Sequence, residues 1–290
     1  MFEQLGLIGC GLMGGSFALA LKRAGLVKRV VGYSKSPSTT ERARLMGVID
    51  VEAPSALLAV SGADIVLIAV PVSASEATFK AIRHLVTPRM LIMDVGSTKR
   101  DVVDAARRVL RDHLGAFVGA HPIAGKEVSG VEHADASLYA GKQVILTPIE
   151  HTSAHQLKQA EAVWSAIGCK VQKMSPESHD AAFAAVSHLP HLIAFALMNT
   201  ICDQPEGQTI LNLAGPGFRD FSRIAASDPK IWRDILISNR EELLTQTQNF
   251  LKQLKAMEHL ISTTNSESLE KLIRQASQAR VDWSMNKQNQ

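Results

Sequence analysis

The chain has 290 residues, 46% hydrophobic and 20% charged, with a net charge of +3, a pI near 8.8 and a mean hydropathy of +0.05. That length predicts two domains with separate cores, and the scattered Lys and Arg residues exclude a basic stripe for nucleic acid while suiting an enzyme of small anionic ligands. The longest apolar run, Ile65–Val72, is too short to cross a bilayer, and no basic, apolar and cleavage-site series opens the chain, so a cytoplasmic protein without a membrane partner is expected.

The first element predicted is a short apolar strand at Leu5–Ile8 that runs into Gly9-Cys10-Gly11-Leu12-Met13-Gly14. A helix over Ser16–Ala24 follows and closes at Gly25, then a strand over Arg29–Tyr33 and a helix over Thr39–Met46 ending at Gly47. Further strands are expected at Ile65–Val70, Leu91–Val95 and Phe117–Ala120, separated by helical stretches at Ala74–Leu85 and Lys99–Leu110. Such alternation predicts a parallel sheet covered on both faces. Gln143–Thr147 and Lys170–Met174, flanking a helix at Ala154–Ile167, extend the same sheet. From Pro176 onward helical spacing takes over. The expected fold class is therefore α/β, with a Rossmann-type dinucleotide-binding domain over residues 1–174 and an all-helical domain over 175–290. Within Glu241–Ser262 an apolar stripe of Leu243, Thr247, Phe250, Leu254, Met257 and Ile261 suits core packing or, alternatively, a homodimer contact. The polar tail from Met285 is expected to fray. Cys10, Cys169 and Cys202 form no CxxC pair and are odd in number, which predicts buried free thiols and no metal site.

The strand, glycine loop and helix at the N-terminus form a dinucleotide cradle: Gly9 for the tight turn, Gly11 for backbone approach to pyrophosphate, Gly14 for helix packing on the sheet. Leu12 and Met13 inside the loop, and Val70 and Pro71 at the end of the strand from Ile65, are further candidates for cofactor contact. Where an NAD enzyme places a carboxylate after its second strand, this chain has Ser34, followed by Lys35 and Ser36. One cation and several hydroxyls without an acid suit a 2′-phosphate, so NADP is expected, with NAD as the alternative. The same Ser- and Thr-rich stretch also suits the cap of the next helix.

Four other segments stand out: Asp94-Val95-Gly96-Ser97-Thr98-Lys99, His121-Pro122-Ile123-Ala124-Gly125, Ser187-His188-Leu189-Pro190-His191, and Gly215 through Arg223, reading GPGFRDFSR. With the glycine loop they resemble the prephenate and arogenate dehydrogenase family of tyrosine biosynthesis, in order, from the first strand to about Trp232. The resemblance implies oxidative decarboxylation of a cyclohexadiene: prephenate to 4-hydroxyphenylpyruvate, or arogenate to tyrosine, with hydride passing to the nicotinamide. It assigns His121 as the catalytic histidine, and a neutral imidazole is a suitable acceptor for the proton of the ring hydroxyl near pH 7. Ser97 matches the family's site serine, with a helix N-cap as the alternative. Arg223 matches the substrate-binding arginine, whose planar guanidinium suits a carboxylate. His191 matches a histidine near the substrate side chain, with capping as its alternative, and Trp232 is expected in the cleft or the core. Arg219 and Asp220 read as structural, as a salt bridge.

The chain departs from the family pattern after HPIAG, where many members carry a small hydroxyl residue and this chain has Lys126 and Glu127. These attract a carboxylate and an amino group respectively, so charge leaves the choice between prephenate and arogenate open, with prephenate favoured slightly. Two other readings compete: a different two-domain NADP oxidoreductase, such as a hydroxyacid dehydrogenase or a pyrroline carboxylate reductase, and a regulatory protein that senses NADP without turnover. The first lacks the HPIAG and GPGFRDFSR pair; the second needs no paired histidine and arginine.

Overall fold

The period-two alternation of the apolar strands places two cores on opposite faces of one sheet. Ile65 and Leu67 face one core with Leu5, Leu91 and Met93, whereas Val66 and Ile68 face the other with Ile8, Ile92 and Phe117. A computed structural model describes residues 1–126 and 128–288. Contacts divide the chain into two compact units, Met1–Arg240 and Glu241–Gln290.

The first unit begins with β1 (Phe2–Ile8), α1 (Leu12–Arg23), β2 (Val27–Tyr33), α2 (Pro37–Leu45), β3 (Val51–Glu52), α3 (Ala56–Val60), β4 (Ile65–Ile68) and α4 (Ser75–Ile82). It continues with β5 (Leu91–Asp94), α5 (Arg100–Leu110), β6 (Phe117–Pro122), β7 (Gln143–Thr147), α6 (Ala154–Ala166) and β8 (Lys170–Lys173). The eight strands form one sheet in the order β3-β2-β1-β4-β5-β6-β7-β8. Strand order reverses between β1 and β4, and in an open α/β sheet the crevice beyond that switch point is where ligands bind.

Two expectations are corrected. The sheet is not wholly parallel: β6 and β7 pair antiparallel, His121 opposite Ile145 and Pro122 opposite Val144. That pairing carries β6 two residues past its expected end at Ala120, so His121 lies within a strand and not after it. Helix α1 begins at Leu12, ahead of the expected Ser16, because Gly14 is buried against Gly9 and against Leu7 of β1, Gly15 against Val48, Val131 and Ala134, and packing outweighs glycine's poor helix propensity.

Beyond β8 the first unit is helical: α7 (Pro176–Phe183), α8 (Leu189–Cys202), α9 (Gly207–Asn212), α10 (Pro216–Ser222) and α11 (Pro229–Ser238). A π-turn at Ala184–His188 joins α7 to α8. Unlike Ile65–Val72, the joined run Pro176–Cys202, with a mean hydropathy of 1.6 over 18 residues, is long enough to cross a membrane. Its first turns carry His179 and Asp180, buried and hydrogen-bonded to the sheet half, which is the behaviour of a packed helix. Cys10 and Cys169 are buried thiols as expected, but Cys202 is exposed because it ends α8.

The second unit holds α12 (Arg240–Ser262), whose first residue belongs to the preceding unit, and α13 (Ser266–Gln288). Of the α12 stripe, Leu243 is buried, whereas Leu254 and Ile261 are 50% and 63% exposed. Intrachain packing thus covers only part of that stripe. The tail expected to fray over Met285–Gln290 instead continues α13 as far as Gln288, while Asn289 and Gln290 lie outside the described residues.

Candidate active site

The glycine loop has the geometry its residues require. Gly9 has φ +97°, and a Cβ there would stand 2.2 Å from the carbonyl oxygen of Ala69, which follows β4. A Cβ on Gly14 would stand 2.1 Å from Gly9 O. Gly11 faces open space, with nothing within 4 Å of such a Cβ. The opening is a cavity of about 310 Å³ whose wall includes Gly11, Leu12, Met13, Val70, Pro71, Gly96, Ser97 and Lys126. Tight turn, close packing and unfilled approach together fit a dinucleotide pyrophosphate at the N-terminus of α1.

Ser34 is partly committed to the fold, since its hydroxyl accepts the Cys10 N–H at 2.9 Å and so ties the end of β2 to the loop. Ser36 is the N-cap residue of α2 but makes no capping bond with its side chain, which lies 2.8 Å from Ser38 Oγ. Lys35 is exposed.

At the ends of β5 and β6 a buried ion pair organises the cavity wall. Lys99, fully buried, donates to the Asp94 carboxylate and to the Ala120 carbonyl at 2.7 Å. Asp94 also accepts from Gly96 N at 2.8 Å and Ala120 N at 3.0 Å. One carboxylate therefore fixes both the cavity wall at Gly96 and the residue preceding His121. Ser97 is not the cap of α5. Lys99 holds that position, and the helix's first amides, Lys99 N and Arg100 N, are bound by the Asp180 carboxylate from α7 at 2.8 and 2.9 Å.

His121 Nδ1 lies 2.8 Å from His179 Nε2, and His179 Nδ1 lies 2.7 Å from Asp180 Oδ1. The Phe183 ring stacks on His179 with centroids 4.5 Å apart. Asn239 binds His188 Nδ1 at 3.0 Å and donates to the Asp180 carbonyl at 2.8 Å. Further along, the His191 ring stacks on Trp232 at 3.5 Å, and His191 Nδ1 donates to the Ser187 carbonyl at 2.9 Å. His191 is thus inside α8 and caps nothing. Exposed Arg223 lies close enough for its charge to depress the proton affinity of His191, an effect secondary to burial. Trp232 and Lys126 share the wall of a second cavity of about 480 Å³, while Lys126 also contacts the His133 carbonyl at 3.2 Å and Asp135 at 3.5 Å. Glu127 lies outside the described residues. Arg219 and Asp220, expected as a salt bridge, are both exposed and form no ion pair among the described residues, being adjacent in sequence near the end of α10.

Burial is the main cause holding His121, His179, His188 and His191 below the proton affinity of free imidazole. For His121 the charges of His179, Lys99 and His188 add to it, and His188 is pushed down to about 4. The folded protein therefore holds these rings neutral, whereas the unfolded chain protonates them below about pH 6.5. Folding stability is expected to be undiminished by these groups above that pH and to fall as the pH drops toward 4, His188 alone contributing a loss of about 3 kcal/mol. Urea midpoints measured at stepped pH between 7 and 4 check this; a midpoint constant across that range would contradict it.

The amino-acid sequence matches the family model of the prephenate dehydrogenase nucleotide-binding domain over residues 17–173, and that of the prephenate dehydrogenase dimerization domain over residues 175–275. The chain belongs to the prephenate dehydrogenase family. It is 35% identical over 271 residues to the prephenate dehydrogenase of Bacillus subtilis, covering 93% of this chain and 73% of that one. It is 33% identical to the cyclohexadienyl dehydrogenase of Zymomonas mobilis, covering 97% and 96%. A crystal structure of Aquifex aeolicus prephenate dehydrogenase, in complex with hydroxyphenyl propionate and NAD+, superposes with a TM-score of 0.90 at 37% identity over 97% of this chain and 98% of that one.

As a prephenate dehydrogenase family member the chain is an oxidoreductase of tyrosine biosynthesis with a pyridine-nucleotide domain. Sequence reasoning missed several residues that build the candidate site: Asp94 and Lys99 as a buried pair, His179 and Asp180 beside His121, and Asn239 on His188. Asp94, Lys99 and His188 stood inside conspicuous segments, but their pairing had no local signal. His179 and Asp180 had none at all.

Proposed function

We propose that this enzyme converts prephenate to 4-hydroxyphenylpyruvate with NADP as its cofactor. The observation that carries the reading is a neutral His121 that follows Ala120, which is bound by the same Asp94 carboxylate that fixes Gly96 in the wall of the dinucleotide cavity. When bound, the nicotinamide accepts hydride from the hydroxyl-bearing ring carbon as carbon dioxide leaves. His121 takes the hydroxyl proton, a task for which a neutral imidazole is suited near pH 7. Ser97, in the cavity wall, positions the reacting hydroxyl or the carboxamide of the cofactor. Gly9, Gly11, Leu12, Met13, Gly14, Val70 and Pro71 hold the dinucleotide. Lys35, Ser36 and the remaining O–H of Ser34 hold the 2′-phosphate, supported by the lack of a carboxylate among residues 34–39.

Arg223 binds a substrate carboxylate, His191 and Trp232 flank the substrate side chain, and Lys126 and Glu127 tune its recognition. Arg223→Ala is expected to raise KM for prephenate about tenfold or more with a smaller change in kcat, as loss of a charge-assisted bond to substrate requires. Steady-state kinetics would contradict the assignment if KM stayed at its wild-type value.

Absorbance of reduced nicotinamide, followed with prephenate or arogenate and with NADP or NAD, tests the whole reading. Faster turnover of prephenate with NADP is the expected result. Preference for arogenate, or equal use of both, would move the substrate toward the breadth that the name of the Z. mobilis relative indicates. A large preference for NAD would refute the 2′-phosphate argument, and silence with both substrates would favour a cofactor-sensing role.

The functional boundary is placed between residues 174 and 175, and the enzyme is read as a cytoplasmic homodimer. Support for the dimer comes from the dimerization-domain match, from the apolar helix α8, of which Ala194 is buried and most other residues half-buried, and from exposed Leu254 and Ile261 on α12. Light scattering that gave a concentration-independent monomer would end that part. Two buried free thiols suit a reducing compartment.

A further inference from the structure

His121 is joined by two hydrogen bonds to a carboxylate it never touches. Asp180 lies at the centre of three donors: the His179 ring at 2.7 Å, and the N–H groups of Lys99 and Arg100 at 2.8 and 2.9 Å. Burial alone would raise its carboxyl, but those bonds outweigh it and keep Asp180 ionised. An ionised carboxylate accepts and never donates, so the proton in the first bond belongs to Nδ1 of His179. A neutral His179 then presents a lone pair at Nε2. The proton in the second bond, across 2.8 Å, must belong to Nδ1 of His121. Neutral His121 is left with a bare Nε2.

We propose that Asp180 and His179 are positioning residues that fix His121 in the Nδ1–H tautomer and so keep its Nε2 as the proton acceptor. The proposal rests on His121 being the base of the reaction. In that reaction the bond from the substrate hydroxyl oxygen to its proton breaks and a bond from Nε2 to that proton forms. The Nδ1–H stays in place, and the new positive charge on His121 is felt by Asp180 through the His179 ring. The surroundings suit such a relay. His179 and Asp180 are 0% and 1% exposed, so water does not compete for their bonds, and Phe183 packs on both rings, 4.5 Å from His179 and 4.8 Å from His121. Neighbouring His188 does not intrude, because both N–H bonds of the Asn239 amide are spent, one on the Asp180 carbonyl and one on His188 Nδ1, which places the His188 proton on Nε2.

Two-bond 1H–15N spectra of histidine-labelled enzyme, assigned with His121→Asn, read the tautomer directly at neutral pH. A protonated Nδ1 and a bare Nε2 are expected at His121; a protonated Nε2 overturns the proposal. This readout needs no turnover, so it is independent of which substrate the enzyme uses. The kinetic arm begins with Asp180→Leu, which leaves the His179 Nδ1–H without an acceptor and so removes what keeps the His179 Nε2 lone pair on His121 Nδ1–H. kcat is expected to fall about a hundredfold or more, with KM within about threefold. Because Asp180 also caps α5, His179→Phe serves as the second variant: it leaves the carboxylate on its amides and keeps an aromatic ring on Phe183, but it offers Nδ1–H no acceptor. His179→Gln returns a carbonyl acceptor and is expected to exceed His179→Phe in kcat by about tenfold. A packing role alone would favour Phe, so a Phe variant with kcat equal to or above that of the Gln variant overturns the relay.

Discussion

His121→Asn is expected to lower kcat about a hundredfold or more and to leave KM for the cyclohexadiene within about threefold. The asparagine amide fills part of the imidazole's space and keeps polarity near His179, but it has no lone pair basic enough to take a proton, so the loss falls on the transition state. A hundredfold is about 2.7 kcal/mol of barrier. The split between kcat and KM is what the arrangement requires, because the proposed binding groups, Arg223 and the His191–Trp232 stack, are separate from the His121–His179 pair. A fully active His121→Asn enzyme would mean that another group takes the proton. A variant that lost affinity and kept kcat would place His121 among the binding residues instead.

Lys99→Met is expected to cost about 3–5 kcal/mol of stability, the range found when one partner of a buried ion pair is removed. Asp94 would keep its bonds from Gly96 N and Ala120 N but would remain a charge in an apolar interior, with its cation gone. For a chain of this size the thermal midpoint should fall by roughly 10 °C. The second half of the test is Asp94→Asn combined with Lys99→Met, which removes both charges and should recover most of the loss. A single variant within about 1 kcal/mol of wild type would show that the pair does not hold the ends of β5 and β6 together. A double variant no better than the single one would point to shape, not charge, as what Lys99 contributes.

The parts of the molecule that were legible in the sequence are those whose signal is local. The spacing of Gly9, Gly11 and Gly14 between a strand and a helix is read within a few residues, and continuous apolar runs such as Ile65–Ile68 announce buried parallel strands. Elements escaped where the local signal was thin: β3 is a two-residue strand, and α3 follows Ala53-Pro54-Ser55, which reads as a loop. The direction of β7 escaped because alternation tells which face a residue takes and not which way its strand runs, so the two-residue extension of β6 that carries His121 was out of reach. In the site, His121 and Arg223 stood in recognisable segments, whereas His179 meets His121 across 58 residues and Asp180 meets Lys99 across 81. A His-Asp dipeptide near a helix start carries no mark of such partners. Nor does a single lysine in the sequence mark a buried ion pair, since lysines are mostly exposed unless paired.

The cap of α5 by a residue eighty positions later in the chain bears on what can be cut away. A fragment ending at residue 174 would retain the whole glycine cradle yet leave two helix-start amides facing solvent and His121 without its neighbour. Nucleotide affinity and proton abstraction would then come apart. The severed half would still capture a dinucleotide, and only adding back the missing helices, by complementation in trans, would restore chemistry.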